Sequence, residues 1–394
     1  MQILSSQVGG YIERASWIRR MFEAGIELKR KYGEDQVCDF SLGNPDLPPP
    51  ECLRDALREV AEAACEPFAF GYMPNFGYPH VREAVARAVS AEQGLAVHPH
   101  ELVMTCGAAG AINAFYRAVL YPGDEVVTPA PYFVEYGFYA ENHGGRLVPV
   151  PTRRPDFQLD LPAVEAAVTE RTRVVLLNSP NNPTGQIYPK KDLAALAEIL
   201  VRCSENRGRP IFLLSDEPYR FLAYDGAEVP SVLPLYPYSV VASSFSKNLS
   251  LAGARIGYAL VNPRMPGKDE LLSGLVLANR ILGFVNAPAL GQKLLAKAVH
   301  AQVDADVYRR RRDVMAQVLD AAGIRYAMPR GAFYFFPEAP GGDDLAFVEK
   351  LARERILAVP GRGFGTPGFF RLAFCVSEEV IRRSRDGFIR AVRG

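Results

Sequence analysis

Seven short runs rich in β-branched and aliphatic residues are strung through the middle of this chain, and helical patterns separate several of them. They read "ELVMTCG" (101–107), "DEVVTP" (124–129), "GRLVPVP" (145–151), "RVVLLNSP" (173–180), "PIFLLSDEP" (210–218), "SVVASS" (239–244) and "RIGYALV" (255–261). Most are near-continuous apolar stretches. A strand with one wet face alternates; a strand covered on both faces does not. Between them, "KDLAALAEILVRCSEN" sets Leu193, Leu196, Leu200 and Cys203 on one helical face. "VREAVARAVSAEQG" does the same with Val81, Val85 and Ala88 and ends on a glycine. Strands alternating with helices predict an α/β fold: a large domain, residues 46–285, with a mostly parallel seven-stranded sheet covered by helices. A long helical pattern from about 286 to 322 and the later runs "GAFYFF", "ILAVPG" and "FFRLAFCV" predict a smaller α+β domain over 286–394. Residues 1–45 have no strand to offer the large sheet and are expected to pack with the small domain.

Composition narrows the function classes. The 394 residues are 48% hydrophobic and 23% charged, enough for a large core. Lys and Arg number 45 against 44 Asp and Glu, and no basic stripe occurs, so nucleic acid is not expected as a partner. The N-terminus has no apolar leader, and no window approaches eighteen apolar residues, so no membrane partner is expected either. The six cysteines lack CxxC spacing and read as reduced thiols of a cytoplasmic protein. His98 and His100 in "VHPHE" have no further ligands nearby, and no metal is expected.

In open α/β sheets, ligands bind at the carboxyl ends of the strands. Here those ends carry "TCGAAG", "PAPY", "NSPNNPTG", "SDEPY" and "SFSK". Each alone is a serviceable turn or cap. Five together, all polar or aromatic, point to a site along one sheet edge. Lys247 is the sharpest signal: an apolar run ends on a lysine, the segment offers it no carboxylate, and lysine is rarely buried unless paired or used.

From "SLGNPD" (41–46) to "RLAF" (371–374), the chain resembles the pyridoxal-phosphate aminotransferases of class I/II, fold type I. "NNPTG", "SDEPY", "SFSKNLSLAGARIGY" and "RLAF" occur in that family's order and spacing. The resemblance implies pyridoxal 5'-phosphate as cofactor and an amino group moved between an L-amino acid and a 2-oxo acid by a ping-pong mechanism. It implies a Schiff base on Lys247, Asp216 beside the pyridine nitrogen, and Asn182 and Tyr219 near the ring's phenolic oxygen. Tyr132 is the implied aromatic against the pyridine face. Gly107, Ala108 and Ala109 form the implied phosphate turn, completed by Ser244, Ser246 and Arg255. Arg371 is the implied clamp on the substrate α-carboxylate, and Gly43 lies where the N-terminal segment closes over substrate. Tyr72 resembles a tyrosine that reaches the phosphate of a neighbouring subunit, which implies a homodimer with shared active sites.

Other members that carry this lysine segment are C–S lyases and aminocyclopropane-carboxylate synthases, and the sequence holds no signature separating them from transaminases. An acidic substrate needs a second cation; Arg280 and Arg362 are candidates by region alone. Related domains also serve as ligand-sensing modules of transcription regulators behind a winged helix-turn-helix, but only about 40 residues precede "SLGNPD", too few for such a domain.

Overall fold

Every one of the seven apolar runs is a strand in the computed structural model, which describes residues 3–394 apart from the side chains of residues 13–22 and 24. A short β1 (Cys38–Asp39) precedes them. The seven are β2 (Leu102–Thr105), β3 (Glu125–Ala130), β4 (Arg146–Pro151), β5 (Thr172–Asn178), β6 (Phe212–Asp216), β7 (Ser239–Ser244) and β8 (Gly257–Val261). They form one sheet in the order β2-β8-β7-β6-β5-β3-β4. Strands β3 to β7 pair in parallel, and β8 alone runs antiparallel to its two neighbours. The buried strands are the near-continuous runs. The exception is β4, at the sheet edge and largely open to solvent, which is where Pro149 and Pro151 cost no ladder hydrogen bond that a second neighbour would need.

Helices cover both faces. The helix Lys190–Arg207 buries Leu193, Leu196 and Leu200 against one side of the sheet. The helix Pro79–Gln93 buries Val81 and Val85 and stops at Gly94, whose φ of 62° is left-handed. On the opposite face the helix Gly107–Val119 packs Ala111, Ile112 and Phe115 into one core with β7 and β8, and the Phe115 ring meets Phe212 of β6 edge-on.

The C-terminal part builds a separate core around β9 (Tyr334–Phe335), β10 (Ile356–Leu357), β11 (Val359–Pro360) and β12 (Phe370–Ala373). β11, β12 and β9 make a three-stranded antiparallel sheet, and β1 pairs in parallel with β10. The first strand is thus tied to the C-terminal core. The long helical pattern from about 286 to 322 divides into two helices, Ala289–Ala298 and Ala305–Ala322. The second begins at Asp304, whose carboxylate accepts from the Asp306 N–H and caps a fresh helix start.

Candidate active site

Strand register fixes where the polar ends meet. Asn178, the last residue of β5, is directly opposite Asp216, the last of β6. β7 ends at Ser244, two residues before Ser246 and three before Lys247. These side chains, the start of the helix after β2, the segment Ser41–Gly43 and Arg371 of β12 line one cleft of about 450 Å³.

Lys247 is largely buried there, with no carboxylate partner among the described residues. Its ammonium donates to the Gly43 carbonyl oxygen at 2.8 Å and lies 5.5 Å from the centre of the Phe333 ring. Burial pulls its pKa down to about 8, with Arg371 and Arg255 pushing the same way and Cys375 opposing, so about a tenth of it is already a neutral amine at pH 7, far more than for an ordinary lysine. Asp216 is perturbed in the opposite sense. Burial raises its carboxyl to about 7, neighbouring Glu217 adds to the rise, and the hydroxyl of Tyr136 donating to Oδ2 offsets part of it. Oδ1 is shielded from solvent and has no partner among the described residues.

Arg371 is buried and held on both sides. One terminal nitrogen donates to the Ser41 carbonyl at 2.6 Å and the other to Asn182 Oδ1 at 3.1 Å. Its guanidinium carbon lies 4.8 and 4.9 Å from the ring centres of Phe364 and Tyr334. Asn182 is fixed in turn by its own N–H donating to Asn178 Oδ1 at 2.7 Å. The hydroxyls of Tyr219 and Tyr334 are 2.8 Å apart. Gly43 permits this: a Cβ there would sit 2.0 Å from the Tyr334 hydroxyl.

At the other end of the cleft, Ala108 and Ala109 bring the first turn of the helix Gly107–Val119 to the wall beside Ser244, Ser246 and Arg255. The free N–H groups of a helix start favour an anion. Gly107 has φ 73°, and a Cβ there would meet an Arg255 terminal nitrogen at 2.9 Å, so guanidinium and helix start close on each other only across a glycine.

Comparison with known proteins identifies the scaffold. The family model described as aminotransferase class I and II matches residues 35–387. The aspartate/prephenate aminotransferase of Thermus thermophilus is 32% identical over 93% of this chain and 93% of its own length. An aromatic-amino-acid aminotransferase of Thermococcus litoralis is 29% identical over 94% of each. Among solved structures, an amino transferase of Eubacterium rectale superposes with a TM-score of 0.93 at 37% identity, covering 100% of this chain and 99% of that one. This chain belongs to the class I and II aminotransferases. It is a pyridoxal-phosphate-dependent aminotransferase that moves an amino group between an amino acid and a 2-oxo acid.

The cleft fits that cofactor. The buried Asp216 Oδ1 lacks the cation that a protonated pyridine nitrogen would provide. The helix start with Arg255 and two serines suits a phosphate, and Lys247 offers a neutral amine to an aldehyde.

Not every residue expected at this aminotransferase site lines it. Tyr132 does not: its N–H donates to the Phe364 carbonyl at 3.1 Å and its ring edge packs at Gly365. Phe133, the next residue, takes the place in the wall. Tyr72 is almost wholly exposed, outside its own chain's cleft. Arg280 is exposed and outside the cleft, and Arg362 is bound to Asp344 at 2.8 Å. Sequence reasoning also passed over Glu135, Tyr136 and Tyr139, which line the cleft from the first turns of the helix Glu135–Asn142. Their signal was an aromatic spacing in "YFVEYGFY" that reads equally as packing.

Proposed function

We propose that this cleft is the transamination site, with Lys247 both carrying the cofactor and moving the substrate proton. One observation supports the reading above the others: a buried lysine without a carboxylate lines the same cleft as a buried carboxylate oxygen without a cation. When bound, pyridoxal phosphate supplies an aldehyde that condenses with amines and a ring that takes up the electron pair left by a broken Cα–H bond. Asp216 would hold the proton on the pyridine nitrogen, and that charge would stabilise its carboxylate. Asn182 and Tyr219 would donate to the ring oxygen. Ala108, Ala109, Ser244, Ser246 and Arg255 would hold the phosphate, with Gly107 letting Arg255 approach the helix start. Phe133 would cover the ring.

Arg371 takes the α-carboxylate by a fork, a geometry that binds and orients at once. Gly43 and Ser41 close that end of the cleft. Lys247, once free, would stay in the cleft, and as a neutral amine it would take the proton from the substrate Cα and return it on the same side; no second base is needed.

We further read the enzyme as a cytoplasmic homodimer, with residues 46–285 as the cofactor unit and 286–394, joined by 1–45, as the small unit. Exposed aromatic residues support the dimer: Phe68, Phe70 and Tyr72 stand exposed within five positions of one another, apolar surface that a second copy would cover. All six cysteines are free, as suits a reducing compartment.

Borohydride treatment of the holoenzyme, followed by peptide mapping, should find the cofactor on Lys247; another lysine overturns the assignment. With an amino acid alone, absorbance should stop changing after one equivalent of 2-oxo acid. Continued turnover with ammonia release would show a lyase on the same scaffold.

A further inference from the structure

Glu135 has no place in the reaction derived above, yet it lines the cleft. It opens the helix Glu135–Asn142, and its carboxylate folds back on its own N–H. Oε2 is shielded from solvent and has no hydrogen-bond partner among the described residues. Burial raises its pKa, and Arg371, within electrostatic reach, pulls the other way. The Glu135 charge in turn reaches Tyr139 and Tyr334, which also line the cleft. An unpartnered carboxylate oxygen in a binding cleft calls for an explanation, because buried polar groups are otherwise nearly always bonded.

The cations of the cleft point the same way. Among the described residues, Lys247, Arg255 and Arg371 are the basic side chains that line it. On the reading given above, on which this inference rests, these hold the amine, the phosphate and the α-carboxylate. None of this chain's own cations is left for an acid on the substrate side chain. With both ends of the substrate fixed, its third substituent must occupy what remains of a cleft whose wall includes Phe364, Tyr139 and Glu135.

We propose that Glu135 is a specificity residue: it accepts amino acids whose side chain ends in a hydrogen-bond donor and rejects those whose side chain ends in a carboxylate. A donor supplies the partner that Oε2 lacks. A carboxylate meets like charge with no further cation of the same chain to screen it, which makes rejection sharper than a change of size could. This separates the chain from relatives named aspartate aminotransferases.

The test compares L-glutamine, L-glutamate and L-methionine, side chains of similar length ending in a donor amide, a carboxylate and an apolar group. Single-turnover absorbance of the holoenzyme gives kcat/KM for each, in the wild type and in Glu135→Gln. The wild type should prefer glutamine to glutamate by about ten- to a hundredfold, the effect of one hydrogen bond to a charged group gained or lost. Glu135→Gln should bring that ratio to within a few fold. A wild type that prefers glutamate, or a ratio unchanged in the variant, overturns the role of Glu135. The wild-type ratio alone decides the question where the variant does not fold. If the wild type converts glutamate and methionine at comparable rates, transamination stands and the Glu135 role falls. If it converts none of the three, the reaction assigned to the cleft falls as well.

Discussion

Replacing Asp216 with asparagine should stabilise the cofactor-free protein at alkaline pH while crippling the enzyme. The carboxyl is raised from an ordinary value of 3.8 to about 7, first by burial. A raised carboxyl is worth nothing to stability below its unfolded value and becomes a burden as pH rises towards its folded one. The burden grows by about 1.36 kcal/mol per pH unit and is complete near pH 7, where it reaches about 4 kcal/mol. Between pH 5 and pH 8.5 the cofactor-free wild type should therefore lose about 3 kcal/mol more than Asp216→Asn, which cannot ionise. Asparagine is nearly isosteric and still accepts from the Tyr136 hydroxyl, so packing and that bond are kept. The assay is urea denaturation of both cofactor-free proteins at the two pH values, read as the difference of differences, which cancels every other titrating group. Adding pyridoxal phosphate at pH 8.5 should restore the wild type, because the ring nitrogen supplies the missing cation, and should help the variant far less. Parallel pH dependence in the two proteins would refute the claim that Asp216 is held above its ordinary range by an unpartnered, buried oxygen.

Other perturbations address other parts of the cleft. Arg371→Lys should raise KM for every amino acid by about tenfold or more, since an ammonium cannot reproduce the fork that now reaches Ser41 and Asn182; steady-state kinetics on several amino acids checks it. Gly107→Ala should weaken cofactor binding by about 1–2 kcal/mol, because a left-handed residue gains a Cβ that pushes on Arg255; fluorescence titration with pyridoxal phosphate reads the change. Sedimentation should find a dimer at micromolar concentration, and Tyr72→Phe should raise the cofactor dissociation constant about ten- to a hundredfold, as loss of one hydrogen bond to a charged acceptor would. A fully active monomer would contradict the shared site.

The sheet was legible because burial on both faces leaves a mark in single residues: β5 is apolar from Val174 to Leu177 and β6 from Phe212 to Leu214, before each ends on polar residues. The same contrast exposed the strand-end residues, since Asp216 and Lys247 break apolar runs. What stayed hidden depends on how distant segments meet. Whether Tyr132 or Phe133 faces the cleft is set by the turn from β3 into the helix Glu135–Asn142, and nothing local distinguishes two adjacent aromatics. Tyr334 looks like core packing until Gly43, near the other end of the chain, lets its hydroxyl approach Tyr219. The break between Ala298 and Ala305 carries no glycine or proline; it is made by the Asp304 cap, and the apolar periodicity continues across it.

The two halves of the cleft are written at different distances along the chain. The phosphate cup draws on residues between 107 and 255, all within or beside the large sheet. The carboxylate clamp joins Ser41 to Arg371 across 330 positions. On the ribosome, at about 5–20 residues per second, the last residue of the cup leaves the peptidyl-transferase centre roughly 6–25 s before Arg371 does. The groups that suit a phosphate are thus all in the chain before the group that suits a carboxylate, which arrives only with the final stretch of the polypeptide.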